Sequence, residues 1–195
     1  MEENAIKRIS SSDESTVNGI LTLAFATCPS LRWMYPEPKR YLEYFSRFVH
    51  YYCGDVYAHR CGAYCPDDLK GALLWVTPEV HRDDDQMMTF LFNTVIESRR
   101  TEVVELFEKL DFYHPRQPYW YFAFLGVDPA YQKQGVGYAL WEYGTELCNR
   151  MQSCAYCEAT TERSARLYEQ LGWKILGTVQ TKTSPPFFPM IYTPE

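Results

Sequence analysis

Apolar positions along the chain follow two periods, and the switches between them mark the predicted elements. Val17, Ile20, Leu21, Ala24 and Phe25 recur at helical spacing. Ser11 and Glu14 precede that run as an S-x-x-E capping box. Before it, Ala5 to Ile9 predicts a short first strand, and after it Cys28 to Pro36 breaks the pattern with two prolines. A second helix is predicted from Pro38, with Tyr41, Phe45, Phe48, Val49 and Tyr52 on one face. Val56 to Arg60 and Gly71 to Thr77 predict two strands joined by a turn around Pro66-Asp67-Asp68. The unbroken run Leu73 to Val76 suits a strand buried on both faces. Asp83 to Asp85 opens a helix carrying Met87, Leu91 and Val95, since carboxylates favour a helix N-terminus. A further helix carries Val103, Leu106, Phe107 and Leu110, and Asp111 to Gln117 is a connector containing His114-Pro115.

The last third is the most sharply patterned. Tyr119 to Val127 is an aromatic-rich strand ended by Asp128-Pro129. Gln132 to Gly137 is a glycine-containing loop, followed by a helix with Gly137, Leu140, Trp141, Gly144, Cys148 and Met151 on one face. Cys154 to Glu158 is a strand. Thr160 or Thr161 caps a helix bearing Leu167, Tyr168 and Leu171, with Gly172 in the left-handed position past its end. Trp173 to Val179 and Pro189 to Tyr192 are two more strands.

Composition narrows the class. A length of 195 residues, 46% apolar and 23% charged, reads as one domain of an ordinary globular protein. The net charge of −6 argues against general nucleic-acid binding, which needs clustered Lys and Arg. The chain has no apolar run of membrane-spanning length and no signal-peptide pattern after its acidic Met1-Glu2-Glu3 start. With seven cysteines, an odd number, the expectation is reduced thiols in the cytoplasm. Cys61, Cys65, Cys154 and Cys157 have the residue types of a zinc site, but positions three apart on a strand face opposite sides, so packing thiols and no metal are expected. The 16% aromatic content predicts an aromatic core or an aromatic-lined pocket.

The strand, Gly-x-Gly turn and helix around residue 135 make a natural anion site, because glycines let a ligand approach the backbone and helix N–H groups point at it. A tight turn with glycines for geometry alone has the same local pattern. A Walker A loop fails, because Tyr138 and Ala139 follow Gly137 where Lys and Ser or Thr are needed. A dinucleotide fingerprint fails at Leu140, where a third Gly or Ala is required, although Glu158 falls near the place of a ribose-binding acid.

Coenzyme A is the remaining phosphate-bearing guest, and here two motifs carry a family resemblance. Leu125-Gly126-Val127-Asp128-Pro129 followed by Gln132-Lys133-Gln134-Gly135-Val136-Gly137 resembles motif A of the GNAT N-acetyltransferases, [QR]-x-x-G-x-[GA] after a strand ending Val-x-Pro. Leu167-Tyr168-Glu169-Gln170-Leu171-Gly172-Trp173 resembles the motif B ending L-Y-E-x-L-G-F, with Trp in the Phe place. The similarity covers about residues 119–179, and the Glu158-Ala159-Thr160-Thr161 stretch is also similar to puromycin-type antibiotic acetyltransferases.

The resemblance implies an α/β fold with a central mixed, mostly antiparallel sheet flanked by helices and splayed at the cofactor strand. It implies a single domain over 1–195 that moves an acetyl group from acetyl-CoA to a small-molecule primary amine. Gln132, Lys133, Gln134, Gly135, Val136, Gly137 and Tyr138 would hold the pyrophosphate. Leu125 and Val127 would offer backbone groups to the pantetheine arm, with the Val127 N–H polarising the thioester carbonyl. Ser164 stands where the family often has an Asn that touches the same arm. Tyr168 matches the acid that protonates the departing thiolate. Glu158 is the candidate base, with His114 second. Trp33, Tyr35, Tyr119 and Tyr121 are expected to line the amine pocket, and the protein to be a monomer or homodimer. A non-catalytic acyl-CoA-binding sensor or scaffold of the same fold is the alternative.

Overall fold

The structure is a computed structural model that describes residues 6–65 and 70–194. The N-terminal acidic residues, Ala5 and the turn at Pro66-Asp67-Asp68 lie outside the described residues. Seven strands form one sheet in the order β1-β2-β3-β4-β5-β7-β6. They are β1 (Lys7–Arg8), β2 (Gly62–Tyr64), β3 (Gly71–Val76), β4 (Trp120–Val127), β5 (Ala155–Ala159), β6 (Lys174–Ile175) and β7 (Phe188–Tyr192). Every neighbouring pair is antiparallel except β4 and β5, which are parallel. This is the mixed, mostly antiparallel sheet expected from the sequence.

Among the described residues seven α-helices surround it. They are α1 (Glu14–Phe25), α2 (Pro29–Met34), α3 (Pro38–Cys53), α4 (Asp84–Thr94), α5 (Arg100–Asp111), α6 (Val136–Met151) and α7 (Glu162–Glu169). α1 and α3 cover one face of β4: a Cβ on Gly126 would meet Leu21, Ala24 and Phe25, and Phe124 packs on Phe25, Phe45 and Phe48. α6 covers the other face so closely that a Cβ on Gly144 would lie 2.8 Å from both Leu73 and Phe122. α4 and α5 are the helical pair before β4 that the pattern predicted.

Two features of β4 position the site. Its register against β3 slips between Leu74↔Phe124 and Trp75↔Phe122, leaving Ala123 as an extra residue. A bulge reverses side-chain alternation. Tyr121 and Phe124, three apart, therefore share the α3 face, where Tyr52 touches both rings. β4 and β5 pair only at Trp120↔Ala155 and Tyr121↔Tyr156 and then diverge. The sheet is splayed there.

Several local expectations are corrected. Val56 to Arg60 is a tight turn, closed by Cys61 N–H on the Val56 carbonyl and by Arg60 in a left-handed conformation; its apolar Val56 and Tyr57 are buried as turn residues, and the strand begins at Gly62. The acidic cap of the first helix sits one residue early, with the Asp13 carboxylate accepting from the N–H and hydroxyl of Ser10. Cys28 to Pro36 is not simply a break, because Pro29 takes the first position of α2. The strand expected over Trp173 to Val179 is reduced to Lys174–Ile175 plus one bridge from Val179 to Phe187. Met151, expected on the buried face of α6, is mostly exposed. Among the described residues no three His, Cys, Asp or Glu converge as a metal site, and all seven cysteines are free thiols.

Candidate active site

The open end of the splay is a cleft of about 930 Å³ between the ends of α1 and β4 and the starts of α6 and α7. Lys133 and Gly135 both take left-handed backbone conformations, φ 63° and 84°. Such a loop turns successive N–H groups toward one concavity. The first intrahelical bond of α6 runs from Ala139 N–H to the Gly135 carbonyl, so the amides of Val136, Gly137 and Tyr138 have no acceptor within the helix. A Cβ on Gly135 would enter open space, and one on Gly137 would touch only Val127 and Leu125. The Gln132 side chain ties the loop to β4 by donating to the Val127 carbonyl, and Gln134 donates to Ala130. Lys133, Arg163 and Arg166 lie in the lining, Arg166 paired there with Glu162 at 3.4 Å. The two arginines of α7 are a contribution that motif matching does not pick out, because their position depends on how α7 docks.

Asp128 N–H bonds the carbonyl of Lys70, the residue just before β3. Antiparallel alternation then turns the backbone groups of Leu125 and Val127 away from β3, toward the gap left by β5. These are the two positions the resemblance singled out, and both line the cleft.

Tyr168 and Ser164 reach the floor of the cleft from α7. Thr161 caps that helix, its hydroxyl accepting from Ser164 N–H and lying 2.9 Å from the Ser164 hydroxyl. The Tyr168 ring stacks on Trp141 at 3.6 Å between centroids and 4° between planes. Burial pushes the Tyr168 phenol well up, reinforced by Cys157 and opposed by a hydrogen bond with Ser164. It stays protonated at physiological pH.

Glu158 sits on β5 beyond the point of divergence. Its side chain is 7% exposed and accepts from His114 Nε2 at 3.1 Å and from the Tyr121 hydroxyl at 2.5 Å. Both partners are themselves held: His114 Nδ1 meets the Tyr119 hydroxyl at 2.6 Å, and the Tyr121 hydroxyl meets that of Tyr52. Arg82 lies over the Tyr52 and Tyr121 rings and pairs with Asp84 at 2.8 Å. Burial, then the Glu158 charge, raises the Tyr121 phenol. The network gives the buried Glu158 side chain two hydrogen-bond partners and so fixes its position.

An apolar junction of about 130 Å³ joins the two halves. It shares Leu125, Ser164 and Tyr168 with the cleft, and Tyr52, Phe107, Leu110 and Glu158 with a second cavity of about 650 Å³ between α4 and α5. Tyr168 and Glu158 thus face one small space. The structure does not bring all four predicted pocket aromatics there. Tyr121 lines the second cavity, but Tyr119 holds His114 from outside it. Trp33 and Tyr35 line neither the cleft, the junction nor the second cavity: α2 turns them into packing, with Trp33 Nε1 donating to Thr183 and the buried Tyr35 hydroxyl 2.8 Å from that of Thr94. Their neighbours Leu31 and Met34 line the junction instead.

Residues 95–175 match the family model of the acetyltransferase (GNAT) domain. The chain carries a GNAT acetyltransferase domain. Solved structures of the GNAT fold extend the likeness over almost the whole chain. A Corynebacterium glutamicum protein described as histone acetyltransferase HPA2 and related acetyltransferase superposes with a TM-score of 0.70 at 22% identity, covering 98% of this chain and 96% of that one. Mosquito arylalkylamine N-acetyltransferase like 5b gives 0.70 at 13% identity, covering 97% and 99%. A Drosophila melanogaster polyamine N-acetyltransferase that forms N-acetylagmatine gives 0.65 at 14%, again covering 97% and 99%. The whole chain thus shares the fold of these proteins, the family match lies over residues 95–175, and the cleft and junction are the candidate active site.

Proposed function

We propose that this single-domain enzyme transfers an acetyl group from acetyl-CoA to the primary amine of a small molecule, by direct attack with both substrates bound. The observation that carries this reading is the convergence of Tyr168 and Glu158 on one junction between two separate cavities. The cleft suits a long anionic thioester. Free amides at the start of α6, with Lys133 and the α7 arginines, would hold its phosphates, and the backbone of Leu125 and Val127 its pantetheine arm. Bound there, acetyl-CoA supplies an activated acyl group.

The chain's own groups do the rest. The Val127 N–H donates toward the thioester carbonyl oxygen, where negative charge grows during attack. Glu158 takes the proton that an ammonium must lose before its nitrogen can attack, while His114 and Tyr121 hold the carboxylate in position. Tyr168 donates to the sulfur as it departs. The raised Tyr168 pKa makes complete proton transfer to a thiolate less favourable than for a free phenol, so a hydrogen bond to the sulfur is the main contribution. An amine acceptor agrees with the arylalkylamine and agmatine substrates named for two structural neighbours.

Thiol release from acetyl-CoA across a panel of primary amines tests the proposal. Amine-dependent release, abolished in Glu158→Gln, is the expected result. Tight coenzyme A binding with no turnover on any amine would instead support a non-catalytic acyl-CoA-binding module.

A further inference from the structure

The junction is small, and it opens at both ends. It measures about 130 Å³, sharing Leu125, Ser164 and Tyr168 with the cleft, and Tyr52, Phe107 and Leu110 with the α4–α5 cavity of about 650 Å³. At about 30 Å³ per water-sized group, it holds about four such groups. An acetyl group and the attacking nitrogen account for them. Its side walls have no room for more, because Leu31, Phe48, Phe122, Phe124 and Trp141 around it are buried core residues. An acyl chain longer than acetyl therefore has one direction in which to extend, through the junction into the α4–α5 cavity.

That cavity is suited to receive it. Met87, Met88, Phe92, Val104, Phe107 and Leu110 give it an apolar wall from both helices. Methionines adapt their shape to an occupant. The Glu158 carboxylate, which lines both spaces, is engaged by His114 and Tyr121, and Arg82 by Asp84. An alkyl chain passing them leaves neither charge without a partner. The other carboxylates of the lining, Asp84, Glu108 and Asp111, belong to exposed residues and keep their water.

We infer that a medium-chain acyl-CoA binds across both spaces, its coenzyme A part in the cleft and its alkyl chain in the α4–α5 cavity, and that it thereby shuts out the amine. The inference rests on the reading of the cleft as the coenzyme A site. A chain of this length is then an inhibitor and not a donor. The limit on acyl length is set by competition for the acceptor's space, not by a closed wall.

The test is calorimetry and steady-state kinetics with octanoyl-CoA, acetyl-CoA and coenzyme A. Each fully buried methylene is worth about fourfold in affinity. For a chain of six further carbons in a cavity open to solvent, octanoyl-CoA is expected to bind at least about tenfold tighter than acetyl-CoA. Met88 and Val104 are half-buried and line the α4–α5 cavity but neither the cleft nor the junction. Met88→Asp, and independently Val104→Asp, should bring the octanoyl preference down to about threefold or less and leave acetyl-CoA affinity unchanged. In turnover, octanoyl-CoA should compete with the amine as well as with acetyl-CoA, whereas coenzyme A should compete with acetyl-CoA alone. Equal affinity for octanoyl-CoA and acetyl-CoA overturns the inference. So does a preference that survives both variants, or octanoyl transfer to the amine as fast as acetyl transfer. Failure of coenzyme A and acetyl-CoA to bind at all would instead overturn the cleft reading, and the inference with it.

Discussion

Tyr168 shows how much of a residue's role is set by its surroundings. Its ring is fixed by the stack on Trp141, and its hydroxyl is left for Ser164 and the junction. Tyr168→Phe keeps the ring and removes only the donor. It should lower kcat by roughly a hundredfold, within the range of general acid contributions, while calorimetry shows unchanged acetyl-CoA affinity. An unchanged kcat would remove the tyrosine from the chemistry. Gly135 is the corresponding residue on the binding side. At φ 84° a β-branched side chain is strained, and its Cβ would stand in the cleft. Gly135→Val should weaken coenzyme A binding by at least tenfold, and undiminished affinity would argue that the loop does not hold the pyrophosphate. Trp33 and Tyr35 carry the opposite lesson. Aromatic rings before a pocket look alike in sequence whether they face it or the core, and only the turn of α2 decides.

Individual elements were legible where their signals are local. The start of α6 at a Gly-x-Gly turn, the threonine cap of α7 and Gly172 past its end all depend on residues within one helical turn, and all are present. β2 was misplaced because Val56 and Tyr57 are as apolar as any strand residue, and only pairing with β3 shows that the strand starts later. The bulge at Ala123 has no composition signal, yet it carries Tyr121 to the side of Glu158. The second cavity was likewise invisible, since it arises from α4 and α5 packing beside a carboxylate more than forty residues further on. The α7 cap has a measurable consequence. Thr161→Ala removes the acceptor for Ser164 N–H, should cost about 1 kcal/mol, and should lower Tm by about 2–4 °C in a thermal melt. Thr160→Ala, one residue before the cap, is the control, since Thr160 does not cap α7.

For the whole molecule, the large number of buried phenols makes alkaline pH the weak side of its stability. Burial raises Tyr35 to about 12, and pushes Tyr41, Tyr57, Tyr156 and Tyr168 higher. Cys148 is also raised, to about 12. In the unfolded chain these tyrosines lose their protons near pH 10. Above that pH, and already above about 8.5 for the Cys148 thiol, the unfolded state binds fewer protons than the native state, so stability falls as pH rises and is fully retained only below about 8.5. Each such group contributes a slope of about 1.4 kcal/mol per pH unit once the unfolded form has titrated. Thermal melts between about pH 8 and 11 should show a Tm that begins to fall above about 8.5 and drops steeply beyond about 10, with tyrosinate absorbance appearing together with unfolding. Gradual titration without unfolding would contradict the burial. The cavities have a consequence of another kind. The cleft and the α4–α5 cavity have no lining residue in common and meet only at the junction. The molecule thus opens by two separate doorways. On the proposed reading, with the thioester in the cleft and the amine in the cavity, neither would have to queue behind the other.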